Sequence, residues 1–290
     1  MFSGAYTALV TPFNRDGSVD FAKFSDLIAR QAEAGIVGIV PCGTTGESPT
    51  LNSDEHCRVI DAAVEAAAGR MQVIAGSGSN ATAEAVTLTR HAMQAGADAT
   101  LQVTPYYNKP SQEGLYRHFS DVAAVGLPVV LYNVPGRSSR EIAIDTIARL
   151  SRVPNIVCVK EAGGSVDRVS AILSQCDICV LSGDDALTLP MMAVGASGVI
   201  SVASNLIPET VVALTRLVLA GEWEEARALH RKYYPLFCDC FLDTNPIPIK
   251  AAMAMAGLMA ESYRLPLCSM DENLKERLRQ SLANAGVDLV

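Results

Sequence analysis

The chain has six lysines, and one of them, Lys160, closes the apolar run NIVCVKE, while the other five lie in loop-like or helix-like segments. An ammonium in such a run loses hydration, which favours the neutral amine. A neutral amine attacks a ketone and forms a Schiff base. The resulting iminium withdraws electrons and makes the neighbouring carbanion accessible as an enamine. This is aldol-type chemistry without a metal. The structural alternative is a head group that reaches solvent at the strand end or pairs with Glu161. Lys250, in NPIPIKAAM, is the rival amine. A lysine that opens a helix after prolines reads as a surface group.

Tyr132 lies 28 positions before Lys160, at the end of another apolar run. If the two runs are neighbouring parallel strands, about 4.8 Å apart, both side chains share one pocket. A phenol there can shuttle the proton of a carbinolamine. The alternative is a tyrosine that caps the core with its hydroxyl in water. Thr44 and Tyr107 can extend a hydroxyl chain from Tyr132. Tyr106 and Tyr107 fall in TPYYNKP, a loop by its prolines and asparagine, where aromatics serve a pocket, an interface or simple packing.

Two segments suit carboxylates. GTTGES at positions 43–48 is rich in backbone donors and hydroxyls, the makings of an anion nest. No lysine follows it, so phosphate is the poorer ligand. Arg137, in NVPGRSSR, can grip a carboxylate with two donors, or stand as a loop arginine in water. Metal chemistry has little support. The acids of GDD at 183–185 have no partner motif, the four histidines form no cluster with cysteines or acids, and CDIC at 176–179 lacks a thioredoxin-like context. No metal and no cofactor are expected.

Positioning these groups requires strands that end at one face. Eight short β-like runs recur roughly 20 to 35 residues apart: 6–10, 38–41, 72–75, 100–104, 129–132, 156–160, 178–181 and 198–202. Several are continuously apolar, as parallel strands covered on both faces are. Helices fill the gaps. Ser53 reads as an N-cap with Asp54 and Glu55 in the first turn, and Gly69 as the stop. The run 81–95 ends at Gly96 in the same way, and Pro208 opens a helix toward Gly221. Eight such units predict an α/β fold, a (β/α)8 TIM barrel, over residues 1–224; an open doubly wound sheet is the runner-up. Residues 225–290 predict a helical extension with helices near 222–234, 249–261 and 272–285.

At 290 residues with 49% apolar side chains, 19% charged and a mean hydropathy of +0.23, the chain can bury a large core. The net charge of −8 offers nothing to follow a nucleic-acid backbone. The apolar stretch 251–260 falls far short of a membrane span, and the start, MFSGAYTALVTPF, lacks the basic region of a secretory leader. Eight cysteines, several inside apolar runs, fit a reduced compartment.

Together the segments GTTGES (43–48), VTPYYNKPSQEGLYRHF (103–119), YNVPGR (132–137), VKEA (159–162), LSGDD (181–185), GVISV (198–202) and NPIPIK (245–250) resemble the dihydrodipicolinate synthase / N-acetylneuraminate lyase family over essentially the whole chain. Thr44, Thr45, Tyr107 and Arg137 are similar to its synthase branch. That resemblance implies condensation of pyruvate with L-aspartate 4-semialdehyde to give 4-hydroxy-tetrahydrodipicolinate, in lysine and diaminopimelate biosynthesis. It makes Lys160 the Schiff-base lysine and Thr44, Tyr107 and Tyr132 the proton relay, with Tyr107 reaching into a neighbouring subunit. Thr45 matches the group that holds the pyruvate carboxylate. Arg137 matches the group that binds the aspartate semialdehyde carboxylate, and Gly183 and Ile200 match positions around the intermediate. The resemblance also implies a homotetramer, a dimer of dimers, in the cytoplasm. Ser48, His56, Asn80, Glu84 and Tyr106 match a site for an L-lysine effector, while Pro49 and Ser53 depart from that pattern. A sugar-acid lyase of the same family, or a catalytically silent metabolite-binding barrel, is the alternative.

Overall fold

The repeat of apolar run and amphipathic helix closes on itself. In a computed structural model describing residues 2–290, eight parallel strands form a closed barrel in sequential order. They are β1 (Gly4–Ala8), β2 (Gly38–Val40), β3 (Gln72–Gly76), β4 (Ala99–Val103), β5 (Val129–Asn133), β6 (Ile156–Glu161), β7 (Cys179–Ser182) and β8 (Gly198–Ser201). β1 pairs with both β2 and β8, which completes the ring. The fold is the (β/α)8 TIM barrel expected from the sequence, and the open sheet is excluded. The first strand begins two residues earlier than its apolar run suggested, because pairing with Gly198 on β8 reaches back to Gly4.

One irregularity matters for the site. Along β5 and β6 the register runs Val129 to Ile156 and then Val130 to Cys158, so Val157 is passed over as a bulge. Beyond it, Tyr132 faces Lys160 and Asn133 faces Glu161.

The helices follow their local signals with small corrections. Helix Ser53–Ala67 is capped by Asn52, not Ser53: Asn52 accepts from the Glu55 amide and Glu55 returns the bond, a full capping box. Its C-cap is Ala68 rather than Gly69, in left-handed backbone. Helix Thr82–Ala95 stops at Gly96 and helix Pro208–Ala220 at Gly221, as expected.

Helix Trp223–Asp239 runs past the expected end and through Pro235. Helix Ile247–Met255 is shorter than the apolar run suggested, since the chain turns at Ala256 and Gly257. Helix Glu272–Ala285 completes the extension. Leu236, Phe237, Ile249, Met253, Leu278 and Leu282 from these helices join the same buried cluster as Val159, Leu181 and Ile200 of the barrel. No helix among the described residues is long and apolar enough to cross a membrane.

Candidate active site

The ends of β5 and β6 carry the two groups expected to react, Tyr132 and Lys160. As register partners, Tyr132 and Lys160 leave the sheet on the same face, into the barrel mouth. Tyr132 is 6% exposed and Lys160 5%. Lys160 Nζ lies 4.3 Å from the centroid of the Tyr132 ring, a cation–π distance. Lys160 enters no ion pair among the described residues. Glu161 is engaged by Arg168 and Asn133 instead, so the expected alternative of a Lys160–Glu161 pair does not occur.

Two cavities meet at Tyr132, Val134 and Arg137. The inner one, about 130 Å³, is lined by Thr45, Tyr132, Arg137, Lys160, Gly183, Asp184 and Asn245 among others. The outer one, about 230 Å³, adds Thr44, Ser48, Tyr106 and Ser138. Gly183 lets the wall close on the amine: a Cβ there would stand 2.6 Å from Ala162 Cβ and 3.1 Å from Lys160 Cε. Ile200 is fully buried in β8 opposite Tyr6, and Val202, two residues on, forms the cavity wall from that strand.

The two acids of GDD diverge. Asp184 lines the inner cavity, where burial pushes its carboxyl above the ordinary carboxylate range. Asp185 is turned away and accepts from the Ser201 hydroxyl and from the Val202 and Ala203 amides at 2.9 and 3.0 Å, capping the turn after β8.

Sequence reasoning missed Asn245. Its Nδ2 donates to Thr45 Oγ1 at 2.9 Å, and its backbone carbonyl accepts from Arg137 Nη2 at 3.0 Å. One residue from the C-terminal extension therefore seats both expected carboxylate grips. The signal was the NPIPIK segment, which opens with this asparagine.

Lys250 corrects an expectation. It is fully buried, not a surface group. Nζ bonds Glu47 Oε1 at 2.5 Å and the Thr11 carbonyl at 2.9 Å, between the rings of Phe13 and Tyr263. Burial pulls its ammonium below the ordinary lysine range, and the facing Glu47 carboxylate opposes that. Glu47 sits in left-handed backbone, φ 54°, at the end of the turn that carries Thr44 and Thr45, a strained conformation for a side-chain-bearing residue. The pair thus ties that turn to helix Ile247–Met255.

Thr44 and Tyr132 share the outer cavity, but Tyr107 does not join them within one chain. It is 91% exposed, at φ 72°, and lines neither cavity. Ser48, His56, Glu84 and Tyr106 line a further cavity of about 150 Å³ that adjoins the outer one through Ser48, Pro49, Gly78 and Tyr106. Asn80 stands beside it, its Nδ2 donating to the Tyr106 carbonyl at 3.3 Å. His56 holds the Gly76 carbonyl through Nε2 at 2.7 Å, and burial pulls its imidazole below the ordinary range.

Fold and site define a class: parallel (β/α)8 barrels that present an amine beside a phenol at the C-terminal mouth of the strands. Within that class the chain belongs to the dihydrodipicolinate synthetase family, whose model matches residues 1–285. It is 51% identical over 290 residues to the 4-hydroxy-tetrahydrodipicolinate synthase of Nitratidesulfovibrio vulgaris (strain DP4), covering 99% of each chain. It superposes with a TM-score of 0.97, at 41% identity and over 99% of this chain and 100% of the other, on the chloride-inhibited dihydrodipicolinate synthase of Acinetobacter baumannii complexed with pyruvate. The enzyme of Cyanidioschyzon merolae with lysine bound superposes with a TM-score of 0.96, at 41% identity and over 99% of each chain.

Proposed function

We propose that this protein condenses pyruvate with L-aspartate 4-semialdehyde to give 4-hydroxy-tetrahydrodipicolinate, a lyase-type step of lysine and diaminopimelate biosynthesis. The observation that carries the reading is the Tyr132–Lys160 pair at one cavity mouth, with Thr45 and Arg137 in the same wall, in a chain whose residues 1–285 match this family.

Lys160 Nζ attacks the pyruvate ketone and water leaves, giving an imine. The imine loses a methyl proton to become an enamine, whose carbon bonds the aldehyde carbon of the second substrate. The amine of that product then displaces Lys160 and closes the ring. Tyr132 carries the protons. Its ring, not its hydroxyl, faces Nζ at 4.3 Å, so transfer requires a rotation of the lysine end or a bridging water. Thr45 holds the pyruvate carboxylate and Arg137 that of the aldehyde, which sets the reacting carbons against each other. Gly183 keeps the wall close to Lys160, and Ile200 is the buried β8 residue two positions before the wall residue Val202.

Tyr107 completes the relay with Thr44 in a neighbouring subunit, which accounts for an aromatic ring 91% exposed on one chain. The working form is a homotetramer in the cytoplasm, with residues 1–224 as catalytic barrel and 225–290 as helical extension. The cavity beside Glu84 takes L-lysine as an effector, its ammonium toward that carboxylate. The relative solved with lysine supports this.

The test is an assay with pyruvate and L-aspartate 4-semialdehyde, product being drawn off by a pyridine-nucleotide reductase. Pyruvate-dependent turnover is expected, slowed by millimolar L-lysine. Cleavage of keto-deoxy sugar acids without condensation would move the protein to the sugar-acid lyases.

A further inference from the structure

We propose that Glu161 is a positioning residue: its buried carboxylate clamps the ends of β5 and β6 from behind, and so sets where Tyr132 and Lys160 stand. This deepens the function proposed above and rests on the Lys160 imine.

Alternation along a strand puts consecutive side chains on opposite faces. Lys160 and Tyr132 point into the barrel mouth, so their successors Glu161 and Asn133, register partners in turn, point outward to the helices. Both successors are fully buried there. Each oxygen of the Glu161 carboxylate accepts two hydrogen bonds, from three donor groups in all, with Asn133 Nδ2 shared between them. Oε1 accepts from Asn133 Nδ2 at 2.9 Å and from the Gly163 amide at 2.7 Å. Oε2 accepts from Asn133 Nδ2 at 3.1 Å and from Arg168 Nε at 3.2 Å.

The donors themselves are held. Asn133 Oδ1 accepts from the Ile142 amide at 2.9 Å, Arg168 Nη2 donates to the Ile142 carbonyl at 2.9 Å, and Arg168 Nη1 meets the Glu141 carboxylate. One carboxylate thus joins the end of β5, the end of β6, helix Val166–Leu173 and the segment that follows Arg137. Gly163 fits this role because a Cβ on it would stand 2.6 Å from Glu161 Oε1, so a side chain would push the carboxylate off its amide.

A buried carboxylate held by this many donors is costly to disturb, since each displaced partner leaves one of its oxygens with less compensation in a site that water does not reach. That stiffness lies one residue beyond the reacting pair on both strands. Misplacement of reacting groups by about 1 Å is enough to cost roughly 100-fold in rate. A group that only stabilised the fold would lower the melting temperature and leave chemistry alone; a positioning group alters the chemical step in protein that remains folded.

The experiment compares wild type with Glu161→Gln, Arg168→Met and Arg168→Lys by thermal midpoint, by kcat and pyruvate KM, and by the rate at which borohydride traps the pyruvate adduct on Lys160. Wild-type trapping at Lys160 checks the imine itself; the variant-to-wild-type ratio checks the clamp. Glu161→Gln and Arg168→Met should lower kcat and the trapping rate roughly 10- to 100-fold, with pyruvate KM within about threefold. Arg168→Lys, which keeps the charge, should recover part of that loss. Folded variants that melt earlier but trap and turn over within about twofold of wild type would overturn the proposal. If Glu161→Gln does not fold, Arg168→Met decides by the same criterion, because it leaves Asn133 and Gly163 on the carboxylate.

Discussion

Lys160 faces Tyr132 rather than Asn133 because Val157 is passed over in the β5–β6 register. Had the strands continued in the register of Val129 with Ile156, Lys160 would sit opposite Asn133. The bulge moves the amine one step along β5 and beside the phenol. A local irregularity in an otherwise regular barrel therefore creates the pair on which the proposed chemistry rests.

Removing the phenol oxygen should isolate its part. Tyr132→Phe keeps the ring against Lys160 Nζ, so folding and melting should change little. Loss of a general acid–base should lower kcat roughly 100- to 1,000-fold. Steady-state kinetics check this, and a variant with unchanged kcat would remove Tyr132 from the relay.

Arg137 should act on the second substrate only. Arg137→Met loses a charge-assisted contact of about 1.5–3 kcal/mol, which is roughly 10- to 100-fold in kcat/KM for L-aspartate 4-semialdehyde. Pyruvate trapping should stay near wild type, because Lys160 is unchanged and Thr45 keeps its bond to the Asn245 side chain, Arg137 touching only the Asn245 carbonyl. The two readouts together distinguish a carboxylate grip from general damage to the pocket.

The Lys250–Glu47 pair gives a stability prediction. Lys250→Met leaves a buried carboxylate facing an apolar side chain and should destabilise by about 3–5 kcal/mol. Lys250→Met combined with Glu47→Gln should be less destabilising than the sum of the two single changes, since the residues are in direct contact. Urea denaturation of the four proteins measures the coupling.

His118 gives a pH dependence. Its Nδ1 meets Thr82 Oγ1 at 2.9 Å, its Nε2 is buried without a partner among the described residues, and burial pulls its imidazole down to about 4. In the unfolded chain it takes up a proton near pH 6.5. Between about 6.5 and 4 the unfolded state binds the proton and the native state does not, so stability falls as pH falls. The contribution is fully present above that window and declines by roughly 3 kcal/mol across it. Denaturation midpoints from pH 7 to 4.5 should slope less in His118→Gln than in wild type.

Much of this architecture is visible in the chain itself. Eight apolar runs at βα spacing imply eight strands, and the rule that barrels react at strand ends selects Tyr132, Lys160, Arg137 and Gly183 before any geometry is known. What escapes depends on partners distant in sequence. Nothing near Lys250 signals that Glu47, 203 positions away, will meet it. The proline-flanked segment reads as exposed until the extension folds over the barrel mouth. Asn245 escapes for the same reason, its partner Thr45 lying 200 positions away. The bulge at Val157 escapes because a run of apolar residues looks the same with or without one residue passed over.

The most direct test is reduction of the enzyme with borohydride in the presence of pyruvate, followed by intact-mass measurement and peptide mapping. A single stable pyruvate adduct per chain, on Lys160 and absent from Lys160→Ala, is the predicted result. An adduct on Lys250, or none on a folded and active protein, would contradict the account.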